Sequence, residues 1–242
     1  MFHNIKIYQF KVRLKEISPM IWRSFLIQSD STLKDLHYVI QILMGWTDYH
    51  LNEFIIKGKR YTIPNMIGNP SPGGEYGSDI TLEEFKFRKN EKLLYTYDFT
   101  AGWEFEVRLE MINPPQKKKF YPVCIAGSGA SPDEECGGPH RFKALKDYWL
   151  EKADDILMEF LIALTDEGNA KKMISEAFDM SELREAYYWL RINKYEFKEI
   201  NKFLKLYAKN DERWQEAFDE MPCSLSTIIF YNFQEIKLYR HG

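Results

Sequence analysis

A chain of 242 residues with 16% aromatic and 29% charged side chains can bury a large core. Domains of this size remove about 70% of their unfolded surface from water, and this composition excludes an intrinsically disordered chain. A net charge of -3 and a pI near 6.0 exclude whole-surface attraction to nucleic acid or anionic lipid, but leave a local basic patch open.

The first elements alternate. Tyr8, Phe10, Val12 and Leu14 share one face of a strand, with Lys11, Arg13 and Lys15 on the other. After Ser18-Pro19, a second strand places Ile21, Phe25 and Ile27 opposite Trp22, so the pair reads as a hairpin. Leu33, Leu36, Ile40, Leu43 and Met44 then recur at helical spacing. Thr32 with Asp35 forms a capping box, and Gly45 suits the left-handed position after the helix end. Leu51 to Ile56 is a third strand, and Gly58 turns it into Tyr61-Thr62-Ile63.

Residues 64–77, with three prolines and four glycines, read as a long loop. The next hairpin has Tyr95, Tyr97 and Phe99 alternating, a turn at Thr100-Ala101-Gly102, and Trp103, Phe105, Val107 and Leu109 on one face. Lys117-Lys118-Lys119 is a charge run in a loop, Phe120 to Ile125 one more strand, and Ala126 to His140 a Gly- and Pro-rich loop. From Phe142 the period is helical: one or two helices to Gly168, then others near 170–178, 181–191, 193–207 and 211–220. Asn193 with Glu196 resembles a second capping arrangement, and residues 224–238 read equally as strand or helix.

The expected fold is α+β. A mixed or antiparallel sheet with one main packed helix, in the β-grasp-like order ββαβββ, fills residues 1–140, and a helical region, 141–242, packs on it. Cys124, Cys136 and Cys223 form no C-x-x-C pair, which fits a reducing compartment. The N-terminus lacks a basic segment followed by an apolar run, and no apolar run reaches membrane length, so a cytoplasmic location is expected.

Several separated motifs resemble one known family, the plasmid pRiA4b open-reading-frame-three-like proteins, also named transposon-passenger, resolvase-like (TnpR-like) proteins. They are Pro19-Met20-Ile21-Trp22-Arg23, the run from Thr32 through Gly45-Trp46 to His50 and Phe54, Tyr97-Asp98-Phe99 with Gly102-Trp103-Glu104, Tyr121-Pro122 with Cys124, and Pro132 to Gly138. A weaker match is Phe197 to Leu204. The resemblance spans about residues 5 to 206. It implies an α+β fold and an association with plasmids or transposons, with a poorly defined molecular function. The chain departs from the family pattern twice: Thr100-Ala101 replaces Gly-Asp, and Phe105 replaces His.

The candidate binding cleft is His37, His50, Asp98, Trp103, Glu134 and Glu135. Each has a plainer reading. His37 lies on the apolar helix face, where a hydrogen-bonded core histidine is common, and Asp98 sits where a turn acid accepts backbone N–H groups. Glu134 and Glu135 read as solvated loop acids. Cys136 has no activating base nearby in sequence and reads as structural. No H-E-x-x-H and no short Cys/His spacing occurs, so neither a metal nor another cofactor is expected. Nor is there a serine recombinase's nucleophilic Ser among arginines, or an evident helix-turn-helix. The reading is a non-catalytic binding protein whose partner is another protein or a small ligand. The alternatives are a metal-dependent hydrolase-like enzyme and a nucleic-acid accessory protein using Lys117 to Lys119.

Overall fold

The computed structural model describes residues 5–65, 68, 72–165, 180–195 and 197–215. The expected helix at 170–178, the Asn193–Glu196 cap and the segment 224–238 fall wholly or partly outside these residues. The chain runs β1 (Ile7–Leu14), β2 (Trp22–Gln28), α1 (Leu33–Met44), β3 (Asn52–Ile56), β4 (Lys59–Thr62), β5 (Glu75–Tyr76), β6 (Lys92–Tyr97), β7 (Trp103–Asn113) and β8 (Val123–Ser128). Among the described residues three helices follow: α2 (Gly138–Thr165), α3 (Met180–Leu190) and α4 (Phe197–Tyr207).

The eight strands form one sheet in the order β5-β4-β3-β6-β7-β1-β2-β8. All pairings are antiparallel except β4 with β5. The fold is thus α+β, with a helix-packed mixed sheet followed by helices. The two-residue β5 lies inside the stretch read as a continuous loop. The strand expected over Phe120 to Ile125 starts three residues later, at Val123.

Alternation decides the faces. Trp103, Phe105, Val107 and Leu109 are all fully buried. The register aligns Tyr61, Phe54, Tyr95, Phe105 and Leu14 into a buried row across five strands. The alternation stops at Tyr97: Asp98 turns to a φ of 51°, and Phe99 swings into solvent rather than following Tyr95 and Tyr97 inward. The opposite face is charged, and Glu106 accepts from both Arg13 and Lys92, which holds its carboxyl down at about 2.

Helix α1 covers the apolar face. Its capping box is formed as expected: Thr32 Oγ1 accepts from the Asp35 N–H, and Asp35 Oδ2 accepts from the Thr32 N–H. Gly45 ends the helix at φ 69°. The C-terminal helices join the same core through Phe142, Trp189, Ile192, Leu204 and Trp214. The match at Phe197 to Leu204 has a concrete meaning. Leu204 is buried in the core, and the Asn201 carboxamide bonds both backbone groups of Cys124 on the edge strand β8, at 2.8 and 2.9 Å. Among the described residues no helix is long and apolar enough to cross a membrane.

Candidate functional site

The site is built around two indoles. Trp46, just past the α1 cap, donates its Nε1–H to the Pro132 carbonyl at 3.0 Å, and Trp103 donates to the Glu134 carbonyl at 3.3 Å. The rings pack together at 5.3 Å and are fully buried. They clamp the 132–138 loop onto the end of the β6–β7 hairpin. The fit is tight: a Cβ on Gly138, at φ 92°, would lie 2.1 Å from the Ala101 carbonyl oxygen. That contact explains why this loop carries glycine where it crosses the hairpin turn.

The clamp pulls Glu134 inside, 4% exposed, where the sequence reading had a solvated acid. Its Oε2 accepts from the Thr47 N–H at 2.7 Å and the Thr47 hydroxyl at 2.8 Å, and its Oε1 accepts from the Tyr97 hydroxyl. Burial raises the Glu134 pKa, opposed by the Tyr97 and Thr47 hydrogen bonds and by His50. Burial beside Glu134 drives the Tyr97 phenol strongly upward, so it remains a donor.

His50 lies above this carboxylate, half-buried. Its backbone N–H donates to the Tyr97 oxygen at 3.2 Å, and its ring meets Tyr97 edge-on at 5.7 Å. Nε2 is 2.8 Å from Glu135 Oε1, and Nδ1 is 3.9 Å from Asp98 Oδ1. Burial works against protonating His50, but the Glu135 hydrogen bond and the charges of Asp98, Glu135 and Glu134 outweigh it, and the pKa is raised. Asp98 also holds its turn, accepting from the Thr100 and Ala101 N–H groups at 3.0 and 3.2 Å. Glu135 is exposed. One ligand atom each from His50, Glu134 and Glu135 lies within 4.8 Å of the others.

His37 goes elsewhere. It is fully buried, with Nδ1 2.7 Å from the Tyr95 hydroxyl and Nε2 2.8 Å from Asp48 Oδ1. Gln41 Nε2 also donates to the Tyr95 oxygen at 2.9 Å. The network balances if the Tyr95 hydroxyl donates to Nδ1 and Nε2–H donates to Asp48. Asp48 Oδ2 has no hydrogen-bond partner among the described residues. The structure therefore joins His50, Asp98, Glu134 and Glu135, places Trp103 beneath them as a clamp, and sends His37 into the core.

Several buried polar groups, Gln41 and Asn52 among them, have no sign of burial in the sequence, and two of them bear on the site. Asp48 is one. Arg23 is the other: fully buried, it bonds the carbonyls of Trp22, Leu43 and Ser128 and the Ser131 hydroxyl, and stacks 3.6 Å from the Tyr195 ring. Desolvation lowers its pKa to about 10. It ties the end of α1, the edge strand and the site loop to the C-terminal helices. An arginine on an alternating strand gives no local sign of this; its place in the Pro-x-Ile-Trp-Arg match was the only signal. Burial raises the Cys136 thiol to about 11, which fits a structural role. Of the two departures, Phe105 is a core ring packed on Trp46 and Tyr95, and Ala101 lies under Gly138.

Comparison with known proteins gives the same outline. The chain is 28% identical over 133 residues to the uncharacterized protein y4hQ of Sinorhizobium fredii, covering 55% of this chain and 68% of that one. It also resembles the crystal structure of MM3350, a protein of unknown function from Methanosarcina mazei Go1. The TM-score is 0.55 at 27% identity, covering 81% of this chain and 97% of the other. The family model for plasmid pRiA4b ORF-3-like proteins matches residues 6–186, and the chain belongs to that family, with no clear catalytic signature.

Proposed function

We propose that the protein is a non-catalytic binding module whose ligand-facing surface is His50, Asp98 and Glu135 above the buried Glu134. The observation that carries this reading is the commitment of the groups a hydrolase would need. Glu134 accepts three hydrogen bonds, and His37 is held on both ring nitrogens. The exposed Glu135 and the buried Asp98, whose Oδ1 also holds its turn, flank the histidine, and this acidic surround suits a cationic group, an amine or guanidinium, on a protein or small ligand. In this reading residues 1–140 carry the site, residues 141–242 brace it, and the protein works in the cytoplasm. Titration of a labelled protein with a short arginine-rich peptide tests it by NMR. The His50 ring and the 132–138 amides should shift, and Glu135→Gln/Asp98→Asn should abolish the response. Equal shifts with an acidic peptide would sink the reading.

A second reading has one observation in its favour, the convergence of three possible ligand atoms within 4.8 Å. It is a metal-dependent hydrolase-like enzyme. Elemental analysis of untagged protein separates the two. The binding module predicts no stoichiometric transition metal. One metal per chain, lost in His50→Ala/Glu135→Gln, would promote the enzyme.

A further inference from the structure

The lysine run at 117–119 is isolated in sequence but not in the fold. The Asn201–Cys124 hydrogen bonds hold α4 beside β8, and this brings the helix to the turn that precedes the strand. On α4, Lys198, Lys202 and Lys205 are spaced by four and three residues, which places them on one face, and Lys209 follows in the turn after the helix. All four are exposed, as are Lys117, Lys118 and Lys119. The helical part of the stripe, Lys198 to Lys205, is about 10 Å long at 1.5 Å per residue. Between the two groups stands Phe120, 51% exposed, with Lys205 Nζ 5.1 Å and Lys209 Nζ 6.0 Å from its ring centre. Two nearby acids are paired, Glu199 with Lys202 of the stripe itself at 2.6 Å and Asp211 with Arg213, so the charge offered to a ligand rests on Lys198, Lys205, Lys209 and the 117–119 run. On a chain of net charge -3 this is a local positive field.

We propose that this face binds single-stranded nucleic acid, with phosphates along the lysine stripe and a base stacked on Phe120. An exposed ring amid cations is the combination that single strands use, because an unpaired base offers its face and the backbone supplies the charge. A duplex hides its base faces and would leave Phe120 idle. A membrane surface fits less well. The apolar face of α4, with Leu204 in the core and Ile200, Phe203 and Tyr207 packed against it, is turned inward and cannot insert. This inference is independent of the cationic-ligand reading, which concerns other residues.

The test is fluorescence anisotropy of a labelled 15-nucleotide dT strand with the full chain. If about four phosphates are neutralised, affinity should fall about 50-fold between 50 and 200 mM salt. Lys205→Glu/Lys209→Glu should weaken binding at least tenfold. Phe120→Ala should weaken it about tenfold for the single strand while leaving weak duplex binding unchanged. These side chains are exposed, and circular dichroism confirms that the variants fold. The proposal is overturned if no binding occurs at 50 mM salt, if charge reversal has no effect, or if Phe120→Ala leaves single-strand affinity intact. It is equally overturned if vesicles containing anionic lipid capture the protein and the oligonucleotide does not.

Discussion

The two histidines of the α1–β3 unit lie thirteen positions apart, yet they sit in opposite surroundings. His37 is sealed under the helix in a network with Tyr95, Gln41 and Asp48, every contact internal. His50 stands near the surface with an exposed carboxylate, Glu135, and a largely buried one, Asp98, beside it. The difference teaches that residue type and sequence neighbourhood say little about role here. What separates them is the side of the Trp46–Tyr49 turn on which each lies. One side faces the core, where an unmade polar contact is expensive, and the other faces water, where it is cheap.

The sharpest way to break the comparison is to delete each ring. His37→Ala leaves the Asp48 carboxylate buried with neither oxygen bonded, and should cost about 3–5 kcal/mol in urea unfolding. His50→Ala should stay within about 0.5 kcal/mol. Equal effects would mean that the two environments are not distinct. Glu134→Gln comes next. It replaces one of the two acceptor oxygens by an N–H group that must face the donors of Thr47 or of Tyr97, and should lose about 1–3 kcal/mol with faster amide exchange across 132–138. Val107→Ala is a purely apolar control on the same sheet and should cost about 1–3 kcal/mol. A change within noise would mean the strand face is assigned backwards.

The smallest effect is electrostatic. The His50 pKa is raised above its ordinary 6.5, so its contribution to stability is full below that value and is lost as pH rises through the folded pKa. NMR titration should give a midpoint above 6.5, and Glu135→Gln should lower it. An unchanged midpoint would show that the carboxylates do not set the charge of this ring.

Local signals carried much of the fold. The Thr32–Asp35 box and Gly45 bracket α1 within a few residues of chain, and the alternation from Trp103 to Leu109 identifies the buried face directly. The candidate site was legible as a set of residues but not as an arrangement. Glu134 reads as solvated because its neighbours in sequence are polar and glycine-rich. It is buried because Thr47 and Trp103 reach it from 87 and 31 positions away, while Trp46 holds Pro132 of the same loop from 86 positions away. The burial of Arg23 and Asp48 has no local sign for the same reason: it depends on elements distant in sequence, no period in their own segments reports it, and only the family motif singles out Arg23.

The carboxamide of Asn201 has a consequence for how copies of the chain meet. A sheet's last strand offers unpaired donors and acceptors to any extended segment in solution, and so invites stacking of one molecule on the next. A single side chain that supplies one donor and one acceptor occupies that position at Cys124. Aspartate cannot donate, and alanine can do neither. On this edge, the cover over Cys124 depends on a helix some 77 residues further along the chain being folded in place.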